Sequence, residues 1–250
     1  MADFQRQTMG AGVRTGADAT IDQGLRAYML KVYNYMASGI AITGIVAYLA
    51  FTMAFVQTPV GLQYTELGAT LYGSPLKWVI MLAPLGMVFF LSARIQKMSA
   101  SGAQVAFWIF AGLMGLSLAS IFAVYTGNSI ARVFFITAAA FGGLSLYGYT
   151  TKKDLSGWGS FLIMGLIGII IAMIVNIFLA SSAMQFAISV IGVLVFAGLT
   201  AYDTQSIKEM YYAGDGEATM GRKAIMGALR LYLDFINLFL MLLMLFGNRE

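Results

Sequence analysis

The chain has 250 residues, 60% of them hydrophobic and only 10% charged, and its mean hydropathy of +0.80 lies well outside the balance of a soluble domain. It contains no Cys and no His, which excludes disulfides, thiolate metal sites, cysteine nucleophiles, Ser-His and Cys-His mechanisms and most zinc sites. The net charge of +4 does not argue for a nucleic-acid partner, because the basic residues gather on one side of a membrane.

The opening stretch, "MADFQRQTMGAGVRTGADATIDQG", has no hydrophobic run and reads as a polar arm over residues 1–28, flexible up to Thr20. From there "TIDQ" fits a capping box, with Thr20 as N-cap and Gln23 three positions on, able to start a helix into the bilayer. The first apolar run begins only after about 30 mostly polar residues and meets the ~20-residue criterion for crossing a bilayer, so it reads as a retained helix and not a cleaved signal.

Seven such runs occur in all, near 33–56, 78–95, 104–125, 131–149, 158–180, 184–206 and 229–247. Residues 29–250 therefore read as a single transmembrane domain, all-α, with no soluble domain. Short polar turns such as "QKMSASG", "YTGNS" and "TTKKDLSG" join most spans. The longest links are "QTPVGLQYTELGATLYGSPLK" after the first span and "IKEMYYAGDGEATMGRKAIMGA" after the sixth. Pro84 inside the second span removes one helical hydrogen bond and should kink it. Gly112, Gly115 and Ala119, Gly142 and Gly143, and Gly165 and Gly168 suit close helix approach. The 17 Met residues have no His or Cys beside them and read as packing or lipid-facing side chains.

Orientation follows from counting Lys and Arg on alternate sides. One side carries Arg6, Arg14, Arg26, Lys31, Arg94, Lys97, Lys152, Lys153, Lys208, Arg222, Lys223 and Arg230; the other carries Lys77, Arg132 and Arg249. The bias puts the N-terminus in the cytoplasm and, with an odd number of spans, the C-terminus on the opposite side.

Two carboxylates remain inside spans, Asp203 and Asp234. Asp203 is expected about one turn before the cytoplasmic end of span six, and Asp234 about one turn after the cytoplasmic start of span seven. The two thus share a depth on consecutive antiparallel helices, and Arg94, at the cytoplasmic end of span two, is expected at the same level. On span seven, Arg230, Asp234 and Asn237 form one polar stripe at helical spacing. An ionisable group in a span costs ~2.5–3.5 kcal/mol at the bilayer centre and marks a functional position by default. Burial and like charge both disfavour ionisation, so the pair should titrate as a unit, with Arg94 opposing. The cluster reads as a proton-sensitive latch joining spans two, six and seven. The plainer reading has Asp203 reaching the headgroups, Asp234 pairing with Arg230 and Arg94 obeying the positive-inside bias.

These residues resemble the Bax inhibitor family, the seven-span proteins with the transmembrane Bax-inhibitor motif. The match rests on "YTGNSIARVFFITAAAFGGLSLYGYTTKKDLS" at 125–156, "ISVIGVLVFAGLTAYDTQSIK" at 188–208 and "LRLYLDFINLFLMLLMLFG" at 229–247. The resemblance implies a fold with the seventh helix central and the other six around it. It also implies a pH-sensitive calcium leak gated by paired aspartates that an arginine of the second helix can lock. Asp203 falls on the aspartate of the family's "YD" motif, Asp234 on that of "LYLDFINLF", and Arg94 on the arginine. No cofactor is expected; calcium is the permeant ion, met in transit by Asp203 and Asp234, since two carboxylates supply few of the 6–8 oxygens calcium takes. The link between spans six and seven is long for the family's bacterial members, and a bacterial inner membrane is the expected location.

The motifs of other classes are incomplete. Intramembrane aspartyl proteases need G-x-G-D on the second helix, and this chain has "LYLD"; "GLSLYG" around Ser145 misses G-x-S-x-G by one residue; a retinal lysine is missing from span seven. The expectation is therefore not an enzyme. A regulator of a membrane-bound ATP-dependent protease, acting through the cytoplasmic arm, is the alternative, and a proton-coupled transporter stands third. The expected partners are the lipid bilayer, calcium ions and protons, with a membrane protease under the alternative.

Overall fold

The computed structural model describes residues 2–249, with side chains from Gln23 onward. In chain order the elements are α1 (Ala2–Ala54), β1 (Phe55–Thr58), β2 (Gly61–Tyr64), α2 (Glu66–Tyr72), α3 (Leu76–Arg94), α4 (Ala100–Leu118), α5 (Gly127–Thr150), α6 (Ser156–Leu179), α7 (Ser182–Glu209) and α8 (Glu217–Phe246). Seven of the helices, α1 and α3 to α8, are long and apolar enough to cross a membrane, as expected. The helix expected to start at Thr20 already runs from Ala2, so Thr20 is inside α1 and is no N-cap, and the stretch before it, expected to be flexible, is helical; the side chains up to residue 22 lie outside the described residues.

Side-chain caps start the helices where the polar turns stand in the sequence. Ser99 Oγ accepts from Gly102 N, Thr126 Oγ1 from Ser129 N and Ser181 Oγ from Met184 N, each satisfying one of the first backbone donors. At the end of α6, Ala180 takes a left-handed backbone, while the carbonyl of Asn176 accepts from Ala180 N and its Oδ1 from Ser181 N.

Both long links hold more structure than hydropathy suggests. After α1 the chain forms a hairpin, with Phe55 opposite Tyr64 and Thr58 opposite Gly61, turned by Pro59 and by Gly61 at φ 109°, a conformation other residues adopt only with strain. After α7 only residues 210–216 lie outside the helices, so the link expected to be long is short. Run length misses the first turns of α8 because they are amphipathic. Gly221, Ala224, Ile225 and Ala228 make a buried stripe, while Arg222 and Lys223 interrupt the apolar run. Arg222 Nη1 donates to Met98 O; Lys223 Nζ donates to Met210 O and pairs with Asp215, holding the 210–216 turn against the helix.

α8 is the most enclosed span, packing on α1, α4, α5 and α7. The expected ring of six is not found: α3 packs chiefly on α4, and α6 on α7, so both stand one layer further out. One part of the core gathers around Tyr232, whose ring meets Phe107 and Phe110 edge-on at 5.9 and 5.1 Å. The other gathers around Leu238, Leu242 and Leu243 with Val195 and Phe196 of α7. Past α8, Asn248 O accepts from Thr126 N and Asn248 N donates to Ser129 Oγ, with the Arg249 guanidinium 5.8 Å from the Tyr125 ring. Trp78 and Trp158, each at the start of a span, are exposed, as is usual for indoles at a bilayer interface.

Candidate functional site

α7 and α8 run antiparallel, and on either side of the two aspartates a side chain of one helix packs onto a glycine of the other. A Cβ on Gly227 would lie 2.9 Å from Ile207, and one on Gly192 would lie 2.6 Å from Met241 Sδ. These two contacts fix the register that brings Asp203 and Asp234 together, at a shared level as expected. The position of Asp234 along its own helix differs from expectation. It lies 17 residues after Glu217, about 25 Å along α8 and not one turn from its start, because the helix begins so much earlier.

Asp234 is 5% exposed, and the side chain of Asp203 is 16% exposed. Their carboxyl groups lie within hydrogen-bond reach of each other. A carboxylate only accepts, so a hydrogen bond between the two requires one proton held between them. The second oxygen of Asp234, Oδ2, is buried without a partner among the described residues. An ionised group in that position would be costly to bury, whereas a carboxyl that shares a proton is tolerated.

Arg230 supplies the nearest positive charge, with Nη1 3.9 Å from Asp203 Oδ1. Its side chain is 44% exposed, so the pair is loose and open to water or headgroups. Arg94, expected at this level, is exposed at the end of α3 and forms no ion pair among the described residues. The physical reason is where α3 ends: α3 packs on α4, and the chain just beyond it meets α8 at Gly221 and Arg222, about 18 Å along that helix from Asp234. Asn237 is expected in a stripe with Asp234, but its Nδ2 donates to Leu233 O at 2.8 Å and serves its own helix.

Two hydroxyl clasps flank the pair, and neither follows from the charge pattern. Beside Asp203, Thr204 Oγ1 donates to Thr200 O and contacts Ser145 Oγ at 3.0 Å, which contacts Tyr33 OH at 2.7 Å, tying α7 to α5 and α1. Two residues before Asp234, Tyr232 OH lies 2.6 Å from Thr43 Oγ1, which donates to Ala111 O, tying α8 to α1 and α4. Tyr33 and Ser145 also line a cleft of about 580 Å³ between α1 and α5, so the first clasp runs from that cleft to the neighbour of Asp203. The sequence does hold a signal for these residues: Thr204 follows the "YD" motif and Tyr232 is part of "LYLDFINLF", and hydroxyls inside spans bond across helices.

Fold and site together define a seven-span integral membrane protein with a carboxyl pair enclosed between its last two helices. Similarity to known proteins gives the family. The chain belongs to the Bax inhibitor family: the family model described as "Inhibitor of apoptosis-promoting Bax1" matches residues 25–250. It is 49% identical over 229 residues to the inner membrane protein YbhL of Escherichia coli K12, covering 91% of this chain and 94% of that protein. It is 48% identical to the protein RP147 of Rickettsia prowazekii over 94% of this chain and 95% of that one, and 47% identical over the full length of both chains to a protein of Caulobacter vibrioides.

Proposed function

We propose that the protein is a proton-sensitive cation leak of a bacterial inner membrane, with Asp203 and Asp234 as its gate and calcium as its permeant ion. The observation that carries this reading is the buried carboxyl pair itself, two acidic groups in hydrogen-bond reach where the bilayer would favour none. While one proton is shared, α7 and α8 are joined at this level. When it leaves, two like charges face each other; at a separation of about 4 Å and an effective dielectric constant near 20 their repulsion is about 4 kcal/mol, comparable with the whole difference between two states of a switch. Arg230 offsets part of that repulsion and takes the latch role that the resemblance assigns to Arg94.

The bias of the basic residues favours a cytoplasmic N-terminus and aspartates in the cytoplasmic half of the bilayer. The inner-membrane location rests on the name of the Escherichia coli relative. Carboxylates are hard oxygen donors that suit calcium in transit.

Calcium flux into proteoliposomes across a pH series tests the proposal. Wild type should pass calcium with a pH-dependent rate, and Asp234→Asn and Asp203→Asn should each flatten that dependence. No flux in wild type, or an unchanged pH profile in both variants, overturns it.

A further inference from the structure

On the outer side of α7, α5 and α6 both lean on that helix rather than on each other, leaving a groove of about 630 Å³ between them. Glycine contacts hold each wall in place. A Cβ on Gly148 of α5 would collide with Ala201 O, and one on Gly159 of α6 would lie 2.5 Å from the Tyr202 ring, so neither wall can be moved closer or replaced by a bulkier contact without displacing α7. The floor is Ala197, Gly198 and Ala201, all small, and the walls present Tyr147, Trp158 and Phe161.

The groove follows α7 from Ile191 to Tyr202, about 16 Å at helical rise. That is half of the ~30 Å hydrocarbon core, the depth of one leaflet. Its polar end is the α5–α6 loop, where Lys153 lines the mouth and Lys152 adjoins it, both exposed. The loop is fixed: Gln205, 5% exposed on α7, donates from Nε2 to Lys153 O and accepts at Oε1 from Leu155 N. Asp154 beside them is engaged locally, with Oδ1 accepting from Ser156 N. Hydrogen bonds from Ser156 hold its carboxyl below the ordinary value. The exposed indole of Trp158 lies where interfacial tryptophans lie.

We infer that this groove is a binding site for one phospholipid of the adjacent leaflet, with an acyl chain on the small-residue floor of α7 and the phosphate at Lys152 and Lys153. Charge and shape select this occupant over a transmembrane partner helix. The groove is one leaflet deep, and its charged end carries a basic pair above an interfacial tryptophan; a spanning helix would need a groove running the full thickness. An anionic headgroup should be favoured over a zwitterionic one, because the two lysines outweigh the single carboxylate of Asp154 and leave the mouth net positive.

The experiment is native mass spectrometry of the full-length protein, purified in mild detergent and then offered phosphatidylglycerol or phosphatidylethanolamine. Wild type should retain one phospholipid after washing that strips bulk lipid, with phosphatidylglycerol held several-fold better. Ala197→Trp, which fills the floor, should retain at least tenfold less, while Ile174→Trp, on the exposed flank of α6, should match wild type. Lys152→Gln with Lys153→Gln should keep a bound lipid and lose the headgroup preference. If Ala197→Trp yields no folded protein, Leu194→Trp, at an exposed position over the same groove, takes its place. Absence of a retained lipid in wild type, equal retention by the floor and flank variants, or an unchanged headgroup preference without the lysines would overturn the assignment.

Discussion

α6 and α8 are both spans, and they carry opposite lessons. α6 runs "GWGSFLIMGLIGIIIAMIVNIFL", almost without polar side chains, yet only 11% of its most apolar window is buried in the protein. α8 carries Arg222, Lys223, Arg230 and Asp234, and 61% of its window is buried. In water the more apolar helix would be the inner one; in a bilayer the lipid takes that role, and the helix that carries the buried carboxyl of Asp234 goes inside, with Arg230 at its exposed edge. Hydrophobicity thus locates a span, whereas its polar residues locate the protein's interior.

That contrast can be broken or sharpened by substitution. The largest effect is expected at Tyr232→Ala on α8, which removes a fully buried ring from between Phe107 and Phe110 and leaves Thr43 without one partner; unfolding in detergent micelles should show a loss of ~3–5 kcal/mol. Next comes Ser145→Ala, which deprives both Tyr33 and Thr204 of a hydroxyl contact, for ~1–2 kcal/mol by the same assay. Arg230→Gln should change stability by less than ~1 kcal/mol, since its ion pair is loose and half-exposed, and yet move the pH profile of calcium flux. Arg94→Gln is its control and should leave that profile in place; the reverse result would return the latch role to α3. The smallest effect is expected at Phe178→Ala on α6, whose side chain is 82% exposed: within ~0.5 kcal/mol of wild type, and a larger loss would mean that α6 is covered by something other than lipid.

Much of this is legible in the sequence, and the parts that are not share a cause. Span number follows from run length, and the shared depth of Asp203 and Asp234 follows from their places in the apolar runs of consecutive antiparallel spans, although Asp234 is in the middle of its helix and not near its end. Arg94 shares neither depth nor neighbours with the pair: the chain just past it meets α8 at Gly221 and Arg222, several turns before Asp234, because counting along the apolar runs misses where α8 begins. Which helices are neighbours depends on small-residue contacts such as Gly227 on Ile207, and those are settled only by packing. The first turns of α8 are hidden because their apolar stripe is diluted by Arg222 and Lys223. The hairpin is hidden because its strands, Phe55–Thr58 and Gly61–Tyr64, are shorter than any useful periodicity window.

The short tail after α8 anchors that helix at one end. Asn248 and Arg249 pin its far end to the start of α5, and Asp234 lies 12 residues back from Phe246, a lever arm of about 18 Å. A tilt of about 5° about that anchor would carry Asp234 about 1.6 Å, enough to take a hydrogen bond of ordinary length out of range. If the proposed gate works by a tilt of α8 about that anchor, it needs no large rearrangement, and Ser129→Ala should blunt the pH response of the flux.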